Sequence, residues 1–193
     1  MSKAVANLKR PNRREFLKIT AAGLPFWTDL SLFAGGDLDR GAVKQVTEFQ
    51  IACMTLPYAQ FPLERALTGI QSAGYKFVAW TTSHKETDGK STPIIAADAA
   101  PQKAAELGKH CRELGLTPLL MFSGIYPEAK EALEVLTNRI KQAGAAGIPQ
   151  VLTFGHTKGG NRKLWVERFK QLGPVARDHG VVIVVKQHGG ETG

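Results

Sequence analysis

The sequence predicts an α/β fold built on a parallel sheet, and three observations carry that prediction. Five short apolar runs, rich in β-branched and aromatic residues, alternate with four amphipathic stretches. The pattern returns about every 30 residues, the length of a βαβ unit. A glycine follows each amphipathic stretch, where the chain turns back and needs a residue that tolerates positive φ.

The elements follow in order. Residues 49–54 read as the first strand. Residues 62–73 read as a helix, with Pro62 in its first turn and Gly74 as its stop. Residues 75–80 form the second strand. Residues 83–98 are a longer, polar connection that contains Gly89 and Pro93. A helix over 101–114 stops at Gly115, and 117–122 is the third strand. A helix over 128–143 stops at Gly144, and 150–154 is the fourth strand. The last helix spans 162–179, with a bend expected near Gly173-Pro174 and a stop at Gly180. Residues 181–185 are a fifth and very apolar strand. Strands this apolar are buried on both faces, as in a parallel sheet covered by its crossover helices.

Two architectures accommodate this rhythm: an open doubly wound sheet and a (β/α)8 barrel. A dinucleotide-binding sheet calls for Gly-x-Gly-x-x-Gly after the first strand, but Thr55-Leu56-Pro57-Tyr58 stands there. Gly155-His156-Thr157-Lys158-Gly159-Gly160 is glycine-rich but lacks the order of a phosphate-binding loop. Several phrases favour the barrel: the first helix with Ala73-Gly74-Tyr75 at its exit, Cys111-Arg112-Glu113-Leu114-Gly115-Leu116, Ala143-Gly144-Ala145-Ala146-Gly147-Ile148, and His179-Gly180 followed by five apolar residues and Lys186-Gln187-His188. Together, over residues 48–193, they resemble the xylose isomerase-like barrel superfamily, which includes sugar phosphate isomerases and epimerases and the endonuclease IV group. A full barrel needs about 250 residues. The expectation is therefore a partial (β/α)8 barrel of about five βα units, a C-terminally truncated product. The alternatives are a half-barrel that dimerises and an open five-stranded sheet.

The N-terminal segment has a different character. Asn12-Arg13-Arg14-Glu15-Phe16-Leu17-Lys18 precedes a mostly apolar and small-residue stretch that ends near Gly36. Basic, apolar and small regions in that order form an export signal. The segment resembles a twin-arginine signal, with Arg13, Arg14, Phe16, Leu17 and Lys18 on its pattern and Asn12 departing from it. The resemblance implies the twin-arginine export machinery as a partner and a periplasmic or extracytoplasmic location. Pro25 and Asp29 interrupt the apolar run, and no Ala-x-Ala cleavage site follows, so an uncleaved signal would act as a membrane anchor. The expected organisation is signal 1–36, linker 37–47 and barrel part 48–193.

Half of the formal charge of +8 falls in residues 1–36, which hold six cations against two carboxylates. The remainder interleaves with acids and forms no basic stripe, so nucleic acid is not favoured as a partner. The two cysteines, Cys53 and Cys111, fall in separate core-type elements without metal-binding spacing and read as buried thiols.

Barrel enzymes keep their chemistry at the C-terminal ends of the strands. The positions there are Thr55; Thr81, Thr82 and His84; Ser123 and Gly124; Gly155 and His156; and Lys186, Gln187 and His188. Three of the five histidines fall among them. Lys186 and His188 stand two apart after an apolar strand and so share a face. Lys186 is expected to stabilise negative charge and His188 to transfer a proton, with His156, His84, Thr55 and Ser123 as substrate-binding candidates. Trp80, Phe122 and Phe154 are expected in the core.

The resemblance implies proton transfer next to a carbonyl on a sugar-like substrate, assisted by a divalent metal. Relatives carry a metal-ligating Glu where Lys186 stands, and a cation would repel a metal, so the cofactor stays unassigned. Two other readings remain: an exported, non-catalytic sugar-binding protein, and a nuclease of the endonuclease IV type.

Overall fold

The computed structural model describes residues 49–190 and 192, which belong to one compact unit, Glu48–Gly193. The signal-like segment and the linker lie outside the described residues. In chain order the elements are β1 (Ala52–Met54), a 3-10 turn (Leu56–Tyr58), α1 (Leu63–Ser72), β2 (Phe77–Trp80), β3 (Ser83–Lys85), β4 (Ser91–Pro93), α2 (Pro101–Glu113), β5 (Thr117–Phe122), α3 (Ala132–Ala146), β6 (Gln150–Phe154), α4 (Arg162–Asp178) and β7 (Val182–Lys186). β1, β2, β5, β6 and β7 form one parallel sheet in that spatial order, each joined to the next through a helix. The α/β fold with five parallel strands expected from the periodicity is the fold the chain adopts, with four helices among the described residues.

Alternation along the strands separates two faces. Val78, Trp80, Met121 and Val151 point toward the helices and form the core with Leu67, Ile70, Leu136, Ile140 and Leu172. The alternate positions form the opposite face: Met54, Ala79 and Leu120 line up across β1, β2 and β5, and Phe122, Leu152 and Val184 across β5, β6 and β7. This second face carries no helix layer among the described residues. It forms a groove of about 340 Å³ bordered by the apolar Met54, Ala79, Leu120 and Leu152 and by Gln50 and Gln150. A second groove of about 500 Å³ runs along the β7 edge between Phe169 and Val182.

Pro118 lies in a central strand, where a proline normally costs a ladder hydrogen bond. It is accommodated beside a bulge: Val78 pairs with Pro118 and Ala79 with Leu120, leaving Leu119 without an opposite residue.

Three departures from the sequence expectation have physical causes. The first strand shortens to Ala52–Met54 because β1 is a sheet edge; Phe49 and Ile51 before it stay exposed. The polar connection after β2 folds into the antiparallel hairpin β3–β4, in which His84 pairs with Thr92. The third helix does not stop at Gly144 but runs to Ala146 and turns at Gly147, whose φ is 71°. Gly144 serves contact instead: a Cβ there would sit 3.0 Å from the His179 carbonyl oxygen. Gly108 does the same for α2, where a Cβ would lie 2.7 Å from the Ala146 oxygen.

Candidate functional site

The C-terminal ends of the five parallel strands come together along one rim. β7 ends at Lys186, which pairs with Phe154 at the end of β6. Lys186 and His188 are both exposed, and the His188 ring lies 6.3 Å from the Phe154 ring. Phe154 in turn contacts Phe122 at 5.5 Å and Tyr126 at 4.4 Å, the latter edge-on. The His156 ring stacks on Tyr126 at 3.8 Å with an interplanar angle of 11°. The rim above β5, β6 and β7 is thus a wall of Phe122, Phe154, Tyr126, His156 and His188, with Lys186 beside it.

Phe122 and Phe154 were expected in the core. They are half-buried, because their register places them on the face without helices. Trp80, one strand position out of phase with that face, is buried as expected.

The remaining candidates lie deeper. Thr55 is fully buried; its Oγ1 accepts from the Thr81 N–H at 3.2 Å, and its own N–H donates to the Ala79 oxygen at 3.0 Å. It ties β1 to β2 below the rim. His84 is buried in the hairpin, with Nδ1 2.8 Å from the Phe61 oxygen and Nε2 shielded without a partner. Ser123 is buried at the end of β5 with its Oγ unpartnered, while its N–H donates to the Leu152 oxygen at 2.9 Å. Lys186, His188 and His156 therefore share the rim, whereas Thr55, His84 and Ser123 are buried.

The segment after β7 closes over the β6–α4 loop. The His156 N–H donates to Thr192 Oγ1 at 2.9 Å, and Thr192 is buried. Gly190, at φ 90°, passes so close to Thr157 that a Cβ would overlap the Thr157 carbonyl carbon at 2.7 Å. Gly189-Gly190 is thus both a turn and a close backbone approach.

Two residues on the connection from β5 to α3 escaped the sequence reading. Tyr126 holds the His156 ring. Glu128 has both carboxylate oxygens shielded from solvent without a hydrogen-bond partner. Their position past a strand end was the available signal, but nothing in the sequence shows how far along a nine-residue connection the rim extends.

A divalent metal does not fit the residues present. Lys186 brings a cation to the strand end, and among the described residues no group of three or more His, Cys, Asp or Glu side chains is placed to hold a metal ion. No chemical step is assigned to one.

The fold matches solved (β/α)8 barrels. A 3-keto-D-glucoside 4-epimerase from E. coli aligns with a TM-score of 0.53 at 12% identity, over 72% of this chain and 56% of its own. A xylose isomerase-like TIM barrel protein from Mycobacterium smegmatis, solved with magnesium, aligns with a TM-score of 0.51 at 15% identity, over 70% and 54%. The IOLI protein, solved with a zinc atom, aligns with a TM-score of 0.53 at 14% identity, over 71% and 51%. At such identities the likeness establishes the fold. The chain spans about half the length of these structures. No protein-family model and no curated protein matches it in sequence.

Proposed function

We propose that the rim of this half-barrel binds a sugar-like substrate and that the whole protein is an isomerase or epimerase acting next to a carbonyl. The observation that supports this most is the joint placement of Lys186 and His188 against the aromatic wall at the strand C-terminal ends. Aromatic faces suit the C–H surfaces of a sugar ring, and a few polar groups at their edge fix its orientation. The imidazole of His188 removes a proton from the carbon beside the carbonyl. Electron density moves onto the carbonyl oxygen, and the Lys186 ammonium stabilises the charge that develops there. Return of the proton to the former carbonyl carbon, with the neighbouring hydroxyl proton passing to the other oxygen, completes an isomerisation; a proton taken from solvent on the opposite face of the same carbon completes an epimerisation, and His188 gives its proton back to solvent.

The test is solvent deuterium incorporation next to the carbonyl, followed by NMR across aldoses, ketoses and their phosphates. Lys186→Ala and His188→Ala are expected to slow exchange about 100-fold or more. Unchanged exchange in both variants would overturn the assignment. Saturable sugar binding with no exchange would favour the non-catalytic binding reading, which the lysine at the strand end also supports.

A further inference from the structure

The two histidines of the rim are held by different means. His188 follows β7 directly, whereas His156 lies on the β6–α4 loop, beyond the last register pair of β6 at Phe154. No backbone–backbone hydrogen bond holds residues 156–160 among the described residues. Yet the His156 imidazole lies flat on Tyr126, 3.8 Å away and within 11° of parallel. A loop without a ladder needs another anchor to keep a ring in one pose.

The anchor comes from the segment after β7. Thr192 is 7% exposed, and its Oγ1 accepts from the His156 N–H at 2.9 Å. Glycines stand on both sides of this contact. Gly160 has no positive φ to call for glycine, but a Cβ there would overlap the Thr192 hydroxyl and lie 3.0 Å from its Cγ2. Across the same seam, a Cβ at Gly190 would overlap the Thr157 backbone. The His156 ring nitrogens make no hydrogen bond to a described residue and are not among the shielded atoms, so they are open to a ligand.

We propose that Thr192 is a positioning residue for the substrate site: its hydroxyl pins the His156 backbone and so sets the imidazole flat on Tyr126, with its nitrogens available to sugar hydroxyls. This rests on the reading of the rim as a sugar site. Pinning the N–H of residue 156 fixes where its side chain departs, and stacking on Tyr126 then selects one rotamer. A neutral imidazole carries one donor and one acceptor, which suits neighbouring hydroxyls of a sugar ring. The proton step belongs to His188 and Lys186, so loss of the Thr192 anchor weakens binding more than chemistry.

The test is NMR of the full 193-residue chain with labelled histidine, the His156 resonances being assigned through His156→Gln. Stacking shifts the carbon-bound ring protons of His156 upfield, and Tyr126→Leu gives their unstacked positions. Thr192→Val keeps the side-chain shape but removes the acceptor, and should move those protons toward the unstacked positions. Thr192→Ser keeps the oxygen and should leave them near the wild-type positions. Gly190→Ala drives the segment off Thr157; it should move the protons as Thr192→Val does, and serves if Thr192→Val does not fold. In the deuterium exchange assay, Thr192→Val should raise the substrate concentration for half-maximal exchange about tenfold and keep the maximal rate within about threefold. Unmoved ring protons in Thr192→Val would overturn the proposal even if Tm falls, because Thr192 would then support the fold alone. No exchange with any sugar would overturn the reading of the rim, while the ring protons still decide the anchor.

Discussion

Cys111 illustrates how burial alone sets the chemistry of a residue. Its side chain is fully buried, and that burial pushes the thiol up to about 11. Cys53 is half-buried at the β1 edge, and both are free thiols. A neutral thiol is a poor nucleophile, so a thiol reagent at neutral pH is expected to modify Cys53 in the native protein and Cys111 only after unfolding. Mass spectrometry of the labelled peptides checks this. The raised value also fixes a pH dependence. The thiol ionises near its ordinary value in the unfolded chain and only near 11 in the folded one. The folded state therefore holds a proton that the unfolded state loses between about pH 9 and 11. Its contribution to stability is complete below that window and is lost as pH rises through it. Cys111→Ala should flatten the alkaline fall in Tm; an unchanged slope would show that other groups cause it. Lys186 and His188 were legible as residues because a charge after five apolar positions has to reach the strand end. Tyr126 was not legible, since its role depends on stacking with a ring from another connection.

At the scale of elements, α3 organises the upper half of the structure. Asn138, Arg139 and Gln142 occupy one face of the helix and donate to the carbonyl oxygens of Ile95, Ala96, Ala97 and Ala99. Residues 94–99 belong to no helix or strand and make only two backbone hydrogen bonds, Ile94 N–H to the Thr82 oxygen and Ala99 N–H to the Ala96 oxygen, so these side chains supply most of what a sheet ladder would. Gln142 is fully buried and bridges Ala96 and Ala99 at 2.9 and 2.8 Å. Gln142→Leu keeps the volume but removes three hydrogen bonds, those to the Ala96 and Ala99 oxygens and the one from Arg139, leaving each carbonyl with one remaining donor. The expected loss is about 2–4 kcal/mol of unfolding free energy, read from denaturant melts. A loss below about 0.5 kcal/mol would mean that water replaces the amide. None of this was visible in the sequence. The periodicity marked the helix, and Gly144 suggested an early stop, but a glycine that ends a helix and one that admits a neighbouring backbone look alike until the neighbour is placed.

At the scale of the whole molecule, the described residues form a parallel sheet with helices on one face. Both outer strands leave an unpaired edge among the described residues, and the opposite face exposes Met54, Ala79, Leu120 and Leu152, with Gln50 and Gln150 among them. Parallel sheets are normally covered on both faces, and an exposed apolar surface of this kind draws partners or dyes. A hydrophobic fluorescent probe is expected to bind the folded 193-residue chain, and Leu120→Lys with Leu152→Glu should suppress that binding while far-UV circular dichroism stays unchanged. Probe binding unaffected by the two changes would place the apolar surface elsewhere, with the β7-edge groove next in line.

The sequence by itself determined the βα rhythm and the five strands of the parallel sheet. These rest on local properties: strand and helix periods, and glycines where the chain reverses. Only the tertiary structure decided which strand-end residues form the rim and which are buried. His84 and Ser123 stand after strand ends as Lys186 does, yet they are buried. Phe122 and Phe154 read as core, yet they face the open side. A cavity at Arg139 draws together residues from β2, β5 and α3. Such outcomes depend on register, on the bulge at Leu119 and on how the connections fold back, and these follow from contacts between residues far apart in the chain.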